Sequence, residues 1–494
     1  MAPIMLNAYD ADVLIPGFSG IFQQGDGLNA DAGTARSAIN MATLGGVLQP
    51  CGACKLLDPS VPSPIETLAC LHRRWYSEDD DRDILIAAAG GMLYAMPIGG
   101  TAWQALPMPE GVEAFACNVW SCLSYEINPE GSYAPVDVLI MSNAQDGMIC
   151  VRGDTMTIEL VPTPKTFGVI ARYAERIWGG AIQDDPDTLV FSAPFDPRGW
   201  EANLDIPEDG AGDVMQPSWD GDGFLALVQM GTQLIAFKRN RIWRILGTDP
   251  GEYAFREQYG SGTKYVNTIA LDGERILMLT DEGVMQYDGV STSLLMPDAC
   301  KTIYDTMHKA ALDQACGCVF KNVYYCAFPV NGESCNNAVL MLNLKDGTWL
   351  YRDDLSVEAF LPTFDRLFFT SHSTPGRVYE WGQDSWTAGT AAHPAWWYGQ
   401  WQDLQQKAIR KGGFEVYLTV EAQDAVPLTI GIETERSLKM KTVTFDKSEP
   451  DKARQRRIRF GGSGRRFRLI IGSETSVAWR IVGGVLVKAE MDPE

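Results

Sequence analysis

Residues 275–289, RILMLTDEGVMQYDG, contain two short apolar runs separated by a turn. The first run is rich in residues that favour strands, Asp281-Glu282-Gly283 is typical of a turn, and the aromatic Tyr287 ends the second run. The stretch therefore predicts a β-hairpin. Hairpins of the same form recur along the chain at 84–97, 137–153, 175–192, 224–247, 323–353 and 366–382.

A single hairpin of this kind leaves both of its faces exposed. Units that stack radially around an axis bury both faces, and residues 65–384, at roughly 40–50 residues per blade, give about six or seven blades. We therefore predict an all-β protein in which residues 65–384 form a β-propeller of six or seven blades. Tandem β-sandwiches fit the same short strands and remain the structural alternative.

The two ends of the chain differ from the middle. Residues 385–494 contain six alternating runs, which predicts a jelly-roll-like β-sandwich. Residues 1–64 are punctuated by Gly and Pro, so we predict an N-terminal arm or wrapped segment with one helical patch at 34–43. The opening residues lack the features of a secretory signal, and no run approaches the roughly 20 apolar residues of a membrane span, so neither is expected.

Charge is unevenly distributed along the 494 residues. The net charge of −22 argues against a surface that wraps nucleic acid, because phosphate binding requires a cationic footprint. From residue 385 onward the chain has 17 Lys+Arg against 13 Asp+Glu, whereas the first 384 residues have 24 against 50. This change in composition predicts a domain boundary near residue 385.

The eleven cysteines include two close pairs. Cys51 and Cys54 have C-x-x-C spacing and Cys316 and Cys318 have C-x-C spacing, but neither pair is joined by a second pair at zinc-site spacing. Thiols in apolar strands are more typical of small core residues in a reducing compartment. We therefore predict no metal site and no cofactor.

Catalytic motifs are sparse. The four histidines, His72, His308, His372 and His393, stand near no G-x-S-x-G motif, and the chain has no phosphate-binding P-loop sequence and no H-E-x-x-H. Acidic clusters at 78–81, 184–187 and 353–354 are typical of solvated turns. A glycosidase pair would come together only in three dimensions, so a propeller glycan hydrolase stays open as an alternative to the predicted non-enzyme.

Residues 452–468, KARQRRIRFGGSGRRFR, form the most basic run of the chain. One hypothesis is contact with phosphates, with Phe460 and Phe467 stacking on bases. A second is two neighbouring strands with arginines outside and apolar residues inside, and a third is docking onto an acidic protein surface. The candidate residues for a subunit interface or DNA contact are Arg454, Arg456, Arg457, Arg459, Arg465, Arg466 and Arg468.

Four aromatic residues, Trp396, Trp397, Tyr398 and Trp401, precede the predicted sandwich. An exposed platform of this kind would suit a glycan-binding or host-surface-binding protein. Large aromatic residues are more often buried, so we predict that these four pack between domains.

Three stretches carry a recognisable pattern in order. The first contains Gly27-Leu28-Asn29, Ala35, Ala38, Asn40, Gly46, Leu48 and Gly52. The second contains Arg176, Trp178, Gly179, Ser192 and Asp196-Pro197-x-x-Trp200, and the third is the predicted sandwich, led in by Gln406-Lys407-x-x-Arg410-Lys411. Together they resemble phage tail hub or nozzle proteins, also called packaged-DNA stabilisation proteins. The chain departs from that family in its high cysteine content and in having no clear inserted domain.

The resemblance implies a structural subunit of the virion tail, assembled in the host cytoplasm as a sixfold ring beneath the portal and its adaptor. Such a ring lines or closes the DNA exit channel, retains the packaged genome and contacts tail fibre or distal tail proteins. Genomic DNA would pass through the lumen without sequence-specific binding, because an acidic wall repels phosphate. No catalytic residue is carried over, since the role of the family is architectural.

Overall fold

The computed structural model describes residues 9–28, 30–74, 83–128, 135–216, 221–258, 262–295, 299–382, 393–448 and 454–492. Within these ranges the strands form nine sheets, seven of which have four strands each. Helix is limited to α1 (Lys301–Asp305) and to 3-10 turns at Pro207–Asp209, Val266–Thr268 and Lys309–Gln314 in this part of the chain. The chain is therefore all-β, as predicted.

The N-terminal segment contributes five strands. They are β1 (Tyr9–Ile15), β2 (Ala35–Ile39), β3 (Met41–Leu44), β4 (Val47–Pro50) and β5 (Lys55–Leu56). Gly45 and Gly46, both at positive φ, make the two-residue turn between β3 and β4. The predicted helical patch at 34–43 is wrong, because this stretch pairs with a distant strand near Trp397 and that pairing overrides local preference.

Seven antiparallel sheets follow in chain order. Blade 1 is β6 (Thr67–His72), β7 (Asp83–Ala89), β8 (Met92–Pro97) and β9 (Gln104–Ala105). Blade 2 is β10 (Ser121–Ile127), β11 (Val136–Asn143), β12 (Gly147–Arg152) and β13 (Ile158–Val161). Blade 3 is β14 (Val169–Tyr173), β15 (Arg176–Gly180), β16 (Thr188–Phe191) and β17 (Gly212–Met215).

Blade 4 is β18 (Ala226–Met230), β19 (Gln233–Phe237), β20 (Ile242–Leu246) and β21 (Ala254–Gln258). Blade 5 is β22 (Ala270–Asp272), β23 (Arg275–Thr280), β24 (Gly283–Tyr287) and β25 (Thr292–Leu294). Blade 6 is β26 (Cys316–Phe320), β27 (Val323–Phe328), β28 (Ala338–Asn343) and β29 (Trp349–Arg352). Blade 7 begins with β30 (Ala359–Pro362), β31 (Leu367–Thr370) and β32 (Val378–Glu380).

The hairpin at 275–289 explains why the blades stack. Residues 276–279 of β23 are all fully buried, so both faces of the strand are covered rather than one. An apolar cluster joins one face to blade 4, and a second cluster joins the other face to blade 6. Continuous apolar runs are the expected sequence of strands that are buried on both sides.

The ring is closed by the N-terminal segment. Strand β5 pairs with β32 as the fourth strand of blade 7, with Leu56 opposite Tyr379 and Lys55 opposite Glu380. An apolar cluster that includes Leu85 of blade 1 and Phe368 of blade 7 fills the seam between the last and the first blade. The β-propeller is confirmed, and it has seven blades.

The C-terminal residues form a two-sheet sandwich. Its strands are β33 (Ala395–Gly399), β34 (Arg410–Ala422), β35 (Val426–Thr434), β36 (Leu438–Phe445), β37 (Arg454–Gly464), β38 (Phe467–Ser473) and β39 (Trp479–Asp492). Sheet A has the order β3-β4-β39-β34-β37, with β1 also paired to β39, and sheet B has the order β2-β33-β38-β35-β36.

The sandwich therefore combines strands from the N-terminal and C-terminal parts of the described chain. Residues 1–64 do not form one arm or wrapped segment: β1, β3 and β4 belong to sheet A, β2 belongs to sheet B, and β5 belongs to the propeller. The predicted boundary at residue 385 lies outside the described residues.

The same segment joins the sandwich to blade 6. The Ile21 amide donates to the Trp349 carbonyl at 2.8 Å, and the Asn40 amide donates to the Tyr351 carbonyl at 3.0 Å. Asn40 also exchanges two hydrogen bonds with Asp353, one through each side-chain atom. One apolar cluster runs without interruption from the sandwich into blades 5 and 6, so the two parts share a core.

Candidate functional site

Strand alternation divides the predicted aromatic cluster. Trp397 is fully buried in the sandwich core, where its ring meets Phe18 edge-on at 5.2 Å. Trp396 and Tyr398, its neighbours on β33, lie on the opposite, outer face of sheet B and are half-buried. Their ring centroids are 6.2 Å apart and the rings are tilted by 30°. Trp397 therefore packs against the N-terminal segment, whereas Trp396 and Tyr398 contribute to a surface.

The backbone under Trp396 allows this ring to lie against the sheet. A Cβ atom placed on Gly472, the cross-strand partner of Trp396, would lie 2.1 Å from a ring atom. Only glycine fits under the ring without moving it. The indole is therefore held against the outer face of sheet B.

Trp401 joins the same face through two arginines. The guanidinium carbons of Arg466 and Arg468 each lie 4.9 Å from a Trp401 ring centroid, and Arg468 lies 5.5 Å from Tyr398. Arg468 also pairs with Glu433 at 2.6 Å. We call Trp396, Tyr398, Trp401, Arg466 and Arg468 the aromatic platform.

The rest of the basic run lies elsewhere on the sandwich. Arg457 and Arg459 project from β37 in sheet A and both bind Glu415 on β34. The hydrogen bond from Arg457, followed by one from Tyr417, lowers the pKa of Glu415 to about 2. Arg456 faces Asp446 at 3.5 Å.

Arg465 lies in the connection between the two sheets, where its amide donates to Glu435 at 2.6 Å and its carbonyl accepts a hydrogen bond from Lys411. Lys452, Ala453 and the Arg454 side chain lie outside what the structure describes.

The basic run is consequently not one patch. The prediction of neighbouring strands is wrong, because β37 belongs to sheet A and β38 belongs to sheet B. The predicted inward alternation is confirmed, since the side chains involved are all buried in the shared core: Ile458, Phe460, Phe467, Leu469 and Ile471. Two sheets facing each other place the arginines on opposite sides of the sandwich.

Carboxylates of two of the predicted acidic clusters form ion pairs and hydrogen bonds within the fold. Asp185 receives hydrogen bonds from Lys165 and Thr188, and the Lys165 bond is the main cause of its lowered pKa. Asp187 binds the ammonium of Lys238 at 2.6 Å, and Lys238 is fully buried under the ring of Phe224. These carboxylates fasten blade 3 to its neighbours.

The cluster at 353–354 has a comparable position. Asp354 pairs with Arg352 at 2.6 Å, and the two side chains are only 5% and 2% exposed. Arg352 also donates to the carbonyl of Gly52 in the N-terminal segment, and Asp353 is bound to Asn40. This pair fastens the N-terminal segment to blade 6. The cluster at 78–81 lies outside the described residues.

The predicted cysteine pairs lie at one seam. Cys316 and Cys318 point into the core between blades 6 and 7, and burial raises the pKa of both thiols. Cys51 and Cys54 pack against the edge of that core. Cys316 and Cys318 therefore have the surroundings of small apolar residues.

Sequence reasoning missed a different group of potential metal ligands. Cys70, His72 and Asp83 of blade 1 present a thiol, an imidazole and a carboxylate within 4.8 Å of one another. The available signal was the Cys-x-His alternation on a strand, but Asp83 joins it only through the pairing of β6 with β7. Among the residues that the structure describes, no helix combines the length and apolar character needed to cross a bilayer.

The sheets define the chain as a seven-bladed β-propeller with an attached β-sandwich. No protein-family model matches the sequence, and no curated protein matches it. Among solved structures, BamB from Moraxella catarrhalis is 8% identical, with 76% of this chain and 98% of that chain covered and a TM-score of 0.38. BBS1N in complex with ARL6DN is 10% identical, with 66% and 96% covered and a TM-score of 0.41. At this level of similarity the fold assignment rests on the sheet topology alone.

Proposed function

We propose that the chain is a structural subunit of a virion, a tail hub or nozzle protein that forms a ring below the portal and its adaptor. The observation that carries the proposal is the position of the residues on which the resemblance depends. These residues connect separate parts of the fold. In a protein with a structural role, we expect the residues that hold the fold together to form a recognisable motif.

The N-terminal motif residues lie at the contact between sandwich and propeller. Ala35, Ala38 and Leu48 are buried in the shared core. Asn40, at a φ of 56°, hydrogen-bonds to blade 6 through both backbone and side chain. Gly46 forms the turn between β3 and β4. Asn29 lies outside the described residues.

The residues of the second motif hold parts of blade 3 together. Arg176 is 1% exposed and donates to the carbonyls of Ser192 and Gly210 at 2.8 and 2.5 Å, which fastens the long connection between β16 and β17. The Ser192 hydroxyl accepts from the Ile177 amide at 3.0 Å. Trp200, the last residue of the motif, packs on Phe167 with ring centroids 5.2 Å apart. No catalytic geometry is needed to explain these residue types.

The distribution of charge supports different roles for the propeller and the sandwich. Residues 51–384 have 23 Lys+Arg and 46 Asp+Glu, whereas residues 9–50 with 385–494 have 18 and 17. Adding the N-terminal strands thus makes the sandwich almost neutral, and the acidity belongs to the propeller. An acidic propeller beside the exit channel repels the phosphate backbone, so that DNA slides without sticking. The near-neutral sandwich suits contacts with other proteins.

A ring also requires a surface for its neighbouring copies. Contiguous exposed apolar surface marks interaction sites, and four large exposed apolar side chains lie between residues 195 and 215, in the long connection of blade 3 and at the end of β17. They are Phe195 at 70%, Leu204 at 91%, Ile206 at 50% and Met215 at 58% exposure. We assign this surface, the blade 3 loop, to the contact between copies.

The experiment that tests the proposal is quantitative proteomics of density-gradient fractions from the producing culture. Sedimentation of the chain with DNA-filled particles, at a ratio to the portal that is constant across fractions, supports it. A chain that stays in the soluble fractions while capsid and portal proteins sediment overturns it.

A matched pair of variants tests whether the blade 3 loop forms the contact between copies. Leu204→Asp is expected to reduce incorporation into particles and to shift the purified protein towards the monomer. Phe364→Asp changes an equally exposed residue, at 94%, on blade 7 and is expected to leave both unchanged. Equal incorporation of the two variants would refute the assignment of the blade 3 loop.

A second candidate function has one specific observation in its favour. Trp396 and Tyr398 are held outward on the aromatic platform, and flat aromatic rings stack on sugars through their apolar faces. Glycan-array binding that is lost in Trp396→Ala would favour a glycan-binding protein. The carboxylates at 184–187 and 353–354 that were weighed as a hydrolase pair include three held by Lys165, Lys238 and Arg352, so no observation favours glycan hydrolysis.

A further inference from the structure

Strand geometry places three side chains of different chemistry on one face of blade 1. Cys70 and His72 are two residues apart on β6, so they point to the same side of the strand. Asp83 is the direct cross-strand partner of His72 on β7 and therefore shares that face. The three side chains lie on the side of blade 1 that faces blade 7.

The distances between the three ligand atoms are close to those around a small metal ion. The Cys70 Sγ lies 3.7 Å from His72 Nδ1, and His72 Nδ1 lies 2.8 Å from Asp83 Oδ1. Bond lengths of about 2.3 Å for Zn–S and about 2.0–2.2 Å for Zn–N and Zn–O place tetrahedral ligand atoms roughly 3.3–3.6 Å apart. The thiol and imidazole atoms need to approach by roughly 0.1 Å, and the carboxylate needs to withdraw by roughly 0.5 Å.

The burial of the group suits an ion held at an open edge. Cys70 is 6% exposed, whereas the side chains of His72 and Asp83 are 40% and 34% exposed. A thiolate on the apolar side and two ligands on the solvent side leave the fourth position of a tetrahedral ion open to water.

Among the described residues, the neighbouring arginines point away from this group. Arg74 is bound to Asp137 and Glu126 of blade 2. A Cβ atom placed on Gly153 of the same blade would lie 3.5 Å from the Arg73 side chain, which puts Arg73 on the blade 2 side as well. Among the described residues Asp83 is therefore left to His72, and its carboxylate charge is available to a cation, while the Cys70 thiol releases its proton when it binds the ion.

We infer that Cys70, His72 and Asp83 form a binding site for a zinc-like divalent cation at the seam where the propeller ring closes. The mixture of sulfur, nitrogen and oxygen ligands favours Zn²⁺ over Mg²⁺ or Ca²⁺, which take oxygen ligands. The ion joins β6 to β7 beside the contact between blades 1 and 7. Its role is to stiffen the first blade where the last one packs against it.

The test is titration of the full-length, tag-free protein with Co²⁺ and Zn²⁺ after treatment with a chelator. One Co²⁺ per chain is expected to bind with a thiolate-to-cobalt charge-transfer band, and Zn²⁺ is expected to displace it. Cys70→Ser is expected to remove the band, and Asp83→Asn to weaken binding by more than the about 10–100-fold that loss of an outer-shell partner costs.

Two variants serve as matched controls. Cys150→Ser removes a buried thiol of blade 2, and His372→Gln removes a histidine that faces Glu358 at 3.8 Å on blade 7. Both are expected to bind Co²⁺ like the unchanged protein, and circular dichroism checks that every variant is folded. A folded wild-type protein without the charge-transfer band, or a Cys70→Ser variant that retains it, would overturn the inference.

Discussion

The propeller and the sandwich are both built from antiparallel sheets, but they are assembled from the chain in opposite ways. Six of the seven blades are continuous stretches whose strands pair with their sequence neighbours. Each sheet of the sandwich combines strands from the first 50 residues with strands from beyond residue 394. A blade is therefore specified by local sequence, whereas the sandwich depends on pairing between residues that are hundreds of positions apart.

Removal of residues 1–50 is the strongest test of this difference between the propeller and the sandwich. The deletion takes β1, β3 and β4 from sheet A and β2 from sheet B but leaves β5 in blade 7, so the sandwich is expected to unfold while the propeller stays folded. Limited proteolysis with mass spectrometry would show cleavage within 393–492 and protection of 65–382. Addition of the 1–50 peptide is expected to restore protection, and a protease-resistant sandwich in its absence would contradict the prediction.

Two neighbouring tryptophans sharpen the comparison at a single strand. Trp397→Ala is expected to cost about 3–5 kcal/mol of unfolding free energy, because it leaves a cavity where the N-terminal segment meets the sandwich. Trp396→Ala, on the outer face, is expected to cost much less. Urea unfolding followed by circular dichroism measures both, and equal losses would show that the two faces of β33 are equally important.

The buried Arg352–Asp354 pair allows a test of the contact between the N-terminal segment and the propeller. Asp354→Asn leaves the Arg352 guanidinium in place without its charged partner, and breaking buried pairs of this kind costs about 3–5 kcal/mol. Asp365→Asn is the control, since its carboxylate is 66% exposed and surface pairs contribute about 0–1 kcal/mol. Thermal unfolding of the two variants should separate clearly. Equal melting temperatures of the two variants would argue against a stabilising role of the Arg352–Asp354 ion pair.

The smallest expected effect is a pH dependence of the sandwich. The pKa of Glu415 is lowered to about 2 in the folded protein from an ordinary value of 4.5, chiefly by Arg457. A lowered pKa stabilises the folded state above the ordinary value, and this contribution is lost as pH falls from about 4.5 towards 2. The melting-temperature difference between the unchanged protein and Glu415→Gln is therefore expected to shrink over this range. A difference that stays constant down to pH 2 would contradict the assignment.

The blades could be predicted because their signal is local and repeated. The hairpin at 275–289 shows strand, turn and strand within 15 residues, and its counterparts do so within 14–31 residues. Strand β5 could not be predicted in this way, because two residues, Lys55 and Leu56, carry no pattern. The sequence around β2 predicts a helical patch instead, because the alternation of this strand becomes visible only beside β33.

The surface features of the sandwich follow the same rule. Alternation along β33 already separates Trp397 from Trp396 and Tyr398, so that division was available from the sequence. The assignment of β37 and β38 to different sheets was not available, because the short connection around Arg465 resembles an ordinary hairpin turn. The group at Cys70 depends on the register of β6 and β7, which no local pattern specifies.

The pairing of β1 with β39 determines when the protein can finish folding during synthesis. Tyr9 lies opposite Met491, so β1 waits until the ribosome has synthesised β39. Contacts between residues this far apart in sequence form slowly. Blades can form one after another as the chain emerges, but β1 to β4 stay without their complete sheets until β33 to β39 have been translated. A polypeptide that ends before β39 would thus carry an unpaired N-terminal segment, which leaves only chains that contain β39 competent to assemble.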